Sequence, residues 1–291
     1  MIEKNTSIKL ANGVDMPLFG MGIMNLKDEK DPQSIMDTAI DTAIKSGYRA
    51  FDNAAAYRNE KEFGIALRKT GIDRKDVFIT TKLRNTQHQY DDALRAFDQN
   101  LERLGMDYVD LFLIHWPVPV YNRYTEAWKA LEKIYKDGRA KAIGVSNFFQ
   151  HHLENVFSVC EIAPMVDQIQ LMPYFVPEKF IEYCKQHDIV MTGWSPLGGP
   201  LTAEVLADKT LAGLADKYGK TVPQIILRWS VQRGFVTIPG TTKPERIRQN
   251  IDIYDFELND SDMAEIKKLN TERAEVKPGI KYDPDQNIFW F

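Results

Sequence analysis

The chain has 291 residues, of which 44% are hydrophobic and 27% charged, and its formal net charge is -4. These values are typical of a globular protein with a large core, and the small negative charge gives the whole chain no attraction for nucleic acid. No apolar run approaches the roughly 20 residues of a membrane-spanning helix, the first residues do not resemble a signal peptide, and two cysteines are too few for a disulfide framework. We therefore expect a cytoplasmic protein that binds neither nucleic acid nor membranes.

An Asn-Gly pair near the start of the chain predicts a β-hairpin. Residues 7–10 and 14–16 flank Asn12 and Gly13, and such a pair between alternating segments is a strong hairpin signal. We expect this hairpin to cap the bottom of the barrel that the following residues predict.

Short runs of β-branched and aromatic residues alternate with amphipathic stretches along the rest of the chain. Several runs are almost continuously apolar, as at 109–114, which is typical of strands buried on both faces of a parallel sheet. The runs predict eight strands, at 18–22, 48–52, 77–81, 109–115, 140–145, 166–170, 189–195 and 235–238. The other stretches predict helices at 32–46, 59–70, 89–104, 123–136, 149–160, 177–186, 210–218, 222–233, 244–251 and 260–269.

Cap signals support these helix boundaries. Asp31 precedes the first predicted helix, Pro32 lies in its first turn and Gly47 follows its end, which are the residue types preferred at those positions. Eight strands with helices between them predict an α/β fold, a single (β/α)8 TIM barrel spanning residues 1–291, with an extra C-terminal helix and tail. A doubly wound sheet is the runner-up.

Four polar side chains are predicted at the carboxyl-terminal mouth of the barrel. Asp52, Lys82 and His115 end the second, third and fourth predicted strands or follow directly, and Tyr57 lies in the loop after Asp52. A tyrosine has an ordinary pKa of about 10, and a neighbouring ammonium group is expected to lower that pKa. Asp52 would hold Lys82 charged and in position, and His115 would hydrogen-bond a carbonyl oxygen or relay a proton. Together they predict a general acid for the reduction of a carbonyl group.

Each of these residues also has a structural interpretation. An Asp–Lys pair at strand ends is often structural, a tyrosine in a loop usually packs, and a histidine after an apolar strand is often a hydrogen-bonded core residue. Their convergence at consecutive strands is what favours catalysis.

The segments that carry these residues closely resemble the signature segments of the aldo-keto reductase family. The matching segments are 51–60 (FDNAAAYRNE), Lys82 and 108–117 (YVDLFLIHWP), and the resemblance covers nearly the whole chain. It implies an NAD(P)H-dependent oxidoreductase that reduces aldehydes or ketones to alcohols. By this resemblance Tyr57 is the general acid, Lys82 and Asp52 tune it, and His115 orients the substrate carbonyl.

The resemblance also implies which residues bind the nicotinamide. Residues 144–148 (GVSNF) and 194–198 (WSPLG) match two further family segments. Ser146, Asn147 and Gln168 would hydrogen-bond the nicotinamide carboxamide. Trp194 would stack on the nicotinamide ring in place of the family's tyrosine. Further cofactor contacts are expected from Gly22, Ser195 and Leu197.

The loop after the last predicted strand is expected to bind a phosphate of the cofactor, because loops after strands 7 and 8 and a helix N-terminus form a recurrent phosphate site in barrels. By resemblance, the residues of the 2′-phosphate and adenine site are Thr241, Arg246, Gln249 and Asn250, with Gln249 replacing a common glutamate. Gly240 stands where many members have lysine, and Lys243 would compensate in part. We expect NADPH as cofactor, with NADH left open.

Three residues are the expected walls of the substrate pocket: Met24, Trp116 and Tyr121. Met24 stands where the family often has tryptophan, which would leave a roomier and more adaptable pocket. The aromatic residues at 289–291 either fold over the mouth or anchor the tail.

No metal site is predicted. Cys184 and His187 offer only two ligands on one helix, and His151 and His152 show no accompanying carboxylate cluster.

Two other functions remain open at this point. The main alternative is a cofactor-binding regulatory or structural barrel with little turnover, although binding alone needs no tuned acid. A barrel hydrolase has no paired carboxylates to support it. The expected partner is a small-molecule carbonyl substrate, and the expected assembly is a monomer or weak homodimer.

Overall fold

In the computed structural model of the chain, a β-hairpin of strands β1 (Ser7–Lys9) and β2 (Asp15–Pro17) precedes the barrel. Gly13 in its turn has a φ of 87°, a conformation in which glycine has no steric cost. Asn12 Nδ2 donates to the carbonyl oxygen of Lys141 over 2.8 Å. Because Lys141 lies at the start of a barrel strand, the hairpin packs at the amino-terminal end of the barrel, where the sequence predicts it.

A sheet of eight parallel strands forms the centre of the protein, whose structure describes residues 2–23 and 29–286. The strands are β3 (Met21–Gly22), β4 (Ala50–Asp52), β5 (Phe78–Leu83), β6 (Val109–Ile114), β7 (Ala140–Ser146), β8 (Val166–Gln170), β9 (Val190–Trp194) and β10 (Val236–Ile238). Neighbours in the sheet follow chain order, and the two edges meet through parallel bridges from Phe19 to Thr237 and from Gly22 to Gly240. The sheet therefore closes into a barrel, which confirms the predicted (β/α)8 fold.

Helices surround the barrel close to their predicted positions. The helices are α1 (Pro32–Ser46), α2 (Glu60–Lys69), α3 (Tyr90–Leu104), α4 (Tyr124–Lys136), α5 (Gln150–Phe157), α6 (Glu178–Gln186), α7 (Thr202–Leu206), α8 (Lys209–Tyr218), α9 (Val222–Gln232), α10 (Pro244–Ile251) and α11 (Asp260–Lys267). The predicted caps of α1 are present, since the Asp31 side chain accepts from the N–H of Ser34 over 3.1 Å and Gly47 ends the helix with a φ of 97°. None of the helices in the described ranges is long and apolar enough to cross a membrane.

Three short elements differ from the sequence prediction. The first barrel strand is shorter than predicted, because Leu18 and Gly20 bond to Thr237 across the closure rather than extending β3. Helix α7 follows a 3-10 turn after β9 and was not predicted. The predicted tail contains a further hairpin of β11 (Glu275–Lys277) and β12 (Ile280–Lys281). Elements of two to five residues are too short to produce a recognisable periodicity.

Candidate active site

A pocket of about 510 Å³ opens at the carboxyl ends of the barrel strands. It contains Tyr57, the predicted acid, and Arg246, the predicted phosphate ligand, so that both belong to one cavity. The residues that line it are Gly22, Ile23, Asp52, Tyr57, His115, Trp116, Ser146, Asn147, Gln168, Trp194, Ser195, Pro196, Leu197, Gly199, Pro200, Thr202, Ile238, Pro239, Gly240, Arg246 and Val276. Most residues that the sequence analysis assigned to the acid and the nicotinamide are therefore brought together.

Lys82 is fully buried near the end of β5, next to Asp52 at the end of β4. Its ammonium group donates to Asp52 Oδ1 in an ion pair and to the carbonyl oxygen of Asn53 over 2.9 Å, and it also interacts with the hydroxyl of Tyr57. Burial disfavours the ammonium charge, but Asp52 and Tyr57 together outweigh burial and raise the pKa of Lys82. The lysine therefore carries a positive charge at neutral pH.

Asp52 connects three strands across the mouth of the barrel. One carboxylate oxygen accepts from Lys82 on β5, and the other accepts from Gln168 Nε2 on β8 over 2.6 Å. The parallel register places Asp52 opposite Gly22, so the carboxylate faces the pocket next to the barrel closure. This double bonding fixes the carboxylate and, through it, the ammonium group of Lys82.

Tyr57 ends a short 3-10 turn, Ala55–Tyr57, in the loop after β4 and is half-buried. Its ring centroid lies 5.2 Å from Lys82 Nζ, and the ring of His115 meets it edge-on with the centroids 5.8 Å apart. Burial raises the pKa of Tyr57 most strongly; Lys82 lowers this pKa and Asp52 raises it, so that the net change is upward. The expected net lowering was wrong, because burial outweighs the ammonium. The phenol thus keeps its proton at neutral pH.

His115 follows β6, is buried and lines the pocket. Burial, with smaller contributions from the charges of Lys82 and Arg84 and from His88, holds its pKa well below the ordinary value of 6.5. The imidazole is therefore neutral at neutral pH. A neutral ring next to Tyr57 can form a hydrogen bond to a carbonyl oxygen but brings no second positive charge.

Asn147, just after β7, has both edges of its amide occupied. Oδ1 accepts from Trp194 Nε1 over 2.9 Å and from the hydroxyl of Tyr282 over 3.1 Å. Nδ2 donates to the carbonyl oxygen of His115 over 2.9 Å and to Ser146 Oγ over 3.0 Å. The residue has a left-handed backbone with a φ of 61°, and such conformations in non-glycine residues cluster at functional sites.

The predicted phosphate residues lie on the loop after β10 and on α10. Arg246 is exposed and lines the pocket, whereas the other members, Thr241, Lys243, Gln249 and Asn250, do not line it. Thr241 is buried, and its hydroxyl accepts from the N–H of Lys243 over 3.2 Å. The structure thus brings one of these five side chains, that of Arg246, to the cavity.

Two of the predicted substrate residues are described, and only one of them lines the pocket. Trp116 is buried in its wall, while Tyr121 is 62% exposed on the loop after β6 and is not part of the lining. Met24 and residues 289–291 lie outside the described residues.

Several lining residues were missed by the sequence analysis. Gly199, Pro200 and Thr202 belong to the 3-10 turn and α7, and Val276 belongs to β11. The Gly-Gly-Pro run at 198–200 is a turn signal that could have pointed to the first of these elements. No comparable signal marks Val276.

The histidine pair of α5 is joined by a carboxylate that the sequence analysis did not connect with it. Asp285 Oδ1 lies 3.1 Å from His151 Nε2 and 3.0 Å from His152 Nε2. However, His152 Nδ1 accepts from the backbone N–H of Phe149 over 3.0 Å, so a neutral ring carries its proton on Nε2, and this nitrogen then has no lone pair to offer a metal. This bonding pattern suits a contact between α5 and the C-terminal residues better than a metal ligand set.

Comparison with known proteins agrees with the barrel fold. The Aldo/keto reductase family model matches residues 19–271. The chain is 43% identical to the glyoxal reductase of Bacillus subtilis (strain 168), covering 97% of this chain and 98% of that protein. It is 40% identical to the methylglyoxal reductase DkgA of Escherichia coli O157:H7, again covering 97% and 98% of the two chains.

Solved structures that resemble this chain are also aldo-keto reductases. An aldo-keto reductase from Bombyx mori in complex with NADP superimposes with a TM-score of 0.84 at 33% identity, covering 93% of this chain and 94% of that chain. The family match, the barrel and the pocket at its carboxyl-terminal mouth together lead to one conclusion: the chain is an oxidoreductase that belongs to the aldo/keto reductase family.

Proposed function

We propose that the protein reduces small aldehydes and ketones with NADPH, with Tyr57 as the proton donor. The observation that carries this proposal is the buried Lys82 ammonium, which Asp52 holds charged and which lies 5.2 Å from the ring centroid of Tyr57. A cofactor-binding protein without turnover has no need for a buried ion pair beneath a phenol. Such a pair must be maintained against the desolvation of both charges.

Tyr57 acts as an acid by passing from a protonated phenol to a phenolate. Tyr57 is protonated at neutral pH because burial raises its pKa, and it therefore holds a proton to give. When an oxygen in the pocket becomes negative, that proton moves to it and leaves a phenolate, which the charge of Lys82 stabilises in a site of low dielectric constant. The neutral ring of His115 can hydrogen-bond the same oxygen and orient it.

The residues of the pocket fit a nicotinamide cofactor. Trp194 offers an aromatic face, Ser146 and Gln168 offer polar groups beside it, and Arg246 offers a guanidinium in the same cavity. When bound, the cofactor would supply the hydride. The phosphate preference rests on Arg246, because a guanidinium matches a phosphate with paired hydrogen bonds. The Bombyx mori relative was solved with NADP, which supports the choice of NADPH.

The proposed substrates are small 2-oxoaldehydes such as glyoxal and methylglyoxal. Two relatives that match almost the whole chain are named for these compounds. The buried wall of Trp116 next to His115 would hold a compact carbonyl compound close to Tyr57. We also propose a cytoplasmic location, since both cysteines, Cys160 and Cys184, are free thiols that suit a reducing compartment.

The proposal is tested by the loss of cofactor absorbance with a panel of aldehydes and ketones, using NADPH and NADH in parallel. We expect turnover of 2-oxoaldehydes with NADPH preferred. Arg246→Met should weaken NADPH binding by roughly 10- to 100-fold, because a charged hydrogen bond is lost, and leave NADH binding nearly unchanged. Cofactor binding without turnover of any carbonyl compound would overturn the enzymatic role and favour the regulatory alternative.

A further inference from the structure

Tyr282, which follows β12, brings an aromatic side chain to the nicotinamide end of the site although it does not line the pocket. Its side chain is buried and meets neighbouring rings edge-on: the centroids of Trp194, Trp116 and Phe175 lie 5.7, 5.9 and 5.6 Å from its own. Edge-to-face contacts at these separations are favourable and directional. The plane of the Tyr282 ring is therefore fixed from several sides, including by two tryptophans of the pocket wall.

The backbone around Tyr282 is held as firmly as its ring. Its N–H donates to the carbonyl oxygen of Ala274 over 2.9 Å, across the β11–β12 hairpin. Gln170 Nε2, at the end of β8, donates to the carbonyl oxygen of Glu275 over 3.1 Å. These bonds tie the segment that carries Tyr282 to a barrel strand.

The Tyr282 hydroxyl donates to Asn147 Oδ1 over 3.1 Å. Trp194 Nε1 donates to the same Asn147 oxygen over 2.9 Å. Because an indole N–H can only donate, the Asn147 atom that it contacts must be the oxygen, and this fixes which way the amide points.

The opposite edge of the Asn147 amide bonds to two residues of the pocket lining. Nδ2 contacts the His115 carbonyl oxygen and Ser146 Oγ, and both of these residues line the pocket. An amide that binds the cofactor must exchange one of these two bonds for a bond to the cofactor. The two donors to Oδ1 are then what keeps its orientation.

We propose that Tyr282 is a positioning residue for the cofactor, which together with Trp194 clamps Asn147 Oδ1 and presents its N–H edge to the nicotinamide carboxamide. This inference rests on the proposed function, since it assumes that a nicotinamide occupies this end of the pocket. In this proposal Trp194 has two roles: its ring stacks on the nicotinamide, and its indole N–H is the second donor to Asn147 Oδ1.

The test compares Tyr282→Phe with the wild type by calorimetric titration of two ligands. The substitution keeps the ring contacts and removes the hydroxyl. The dissociation constant of NADPH should rise roughly three- to tenfold, the usual effect of one net hydrogen bond. The dissociation constant of adenosine 2′,5′-bisphosphate, which lacks the nicotinamide, should stay unchanged. Its unchanged binding also shows that the variant is folded.

Tyr124→Phe is the matched control. Tyr124 is a buried tyrosine on α4 whose hydroxyl accepts from Asn155 Nδ2 over 2.6 Å, and neither residue lines the pocket. Its loss should change neither dissociation constant. An unchanged NADPH constant in Tyr282→Phe, or equal weakening of both ligands, would overturn the positioning role while leaving the proposed function intact. A wild type that binds neither NADPH nor NADH would overturn the proposed function and this inference with it.

Discussion

Replacing Lys82 by methionine removes the ammonium group on which the proposed acid depends and keeps a side chain of similar length. In the structure this group donates to Asp52 and to the Asn53 carbonyl oxygen, interacts with the Tyr57 hydroxyl, and is fully buried. Without it, the Asp52 carboxylate keeps only its bond from Gln168. Leaving one charge of a buried pair without its partner costs about 3–5 kcal/mol.

A second substitution distinguishes the cost of the unpaired Asp52 charge from the cost of a packing defect at position 82. Asp52→Asn combined with Lys82→Met removes both charges and keeps an oxygen that accepts from Gln168. We expect the double variant to be more stable than Lys82→Met by about 2 kcal/mol, because no uncompensated charge remains buried. Urea unfolding of the wild type, both single variants and the double variant gives the coupling energy directly.

Turnover should not follow stability in this series. The double variant regains part of the folding free energy but still lacks the charge that stabilises the Tyr57 phenolate, so its kcat should stay about 10²- to 10⁴-fold below the wild type. A cost below about 1 kcal/mol for Lys82→Met, or a double variant no more stable than that single variant, would refute the buried ion pair as described.

Two further predictions concern stability. Burial lowers the pKa of His88 from 6.5 to about 4, so the folded state with neutral His88 is fully stable above pH 6.5 and loses stability as the pH falls. Relative to His88→Gln, the free energy of unfolding of the wild type in urea should fall by about 2 kcal/mol by pH 5 and by about 3 kcal/mol by pH 4. If the two proteins lost stability in parallel as the pH fell, this prediction would be contradicted. A Cβ on Gly64 would lie 2.0 Å from the Leu104 carbonyl oxygen, whereas one on exposed Gly213 in α8 meets nothing within 4 Å. Gly64→Ala should therefore destabilise the fold by about 1–3 kcal/mol and Gly213→Ala stabilise it by about 0.5–1 kcal/mol, and thermal unfolding that gave both the same sign would show the packing of α2 on α3 to be wrong.

The barrel and the candidate acid could be predicted from the sequence, because the predicted strands define the barrel and their ends carry the residues of the acid. Asp52, Lys82 and His115 end or follow apolar runs, and the ends of parallel strands meet at one mouth of the barrel. Their convergence therefore follows from the strand prediction alone. The resemblance to the aldo-keto reductases then supplied a role for each, and these roles stay predictions.

The direction of the Tyr57 pKa change could not be obtained in this way. The sequence shows that an ammonium group lies near the phenol, but it does not show how far the surrounding loops remove both from water. In the structure, burial has the larger effect on Tyr57. The balance of burial and charge is a property of the assembled site.

Residues of the C-terminal segment were also beyond sequence reasoning. Val276 and Tyr282 belong to strands of two or three residues or follow them, where no period of two or of 3.6 can be recognised. Their place in the site depends on contacts with residues more than 100 positions earlier, such as the bond from Tyr282 to Asn147. A sequence pattern carries no information about such pairing.

The most direct test of the account is the turnover of methylglyoxal with NADPH by Tyr57→Phe, measured beside the wild type and Tyr124→Phe. We expect kcat to fall by about 10²- to 10⁴-fold in Tyr57→Phe, with the dissociation constant of NADPH unchanged, because only the transferable proton is lost. The control variant should keep the wild-type rate. A Tyr57→Phe enzyme with undiminished turnover would contradict the claim that this phenol is the proton donor.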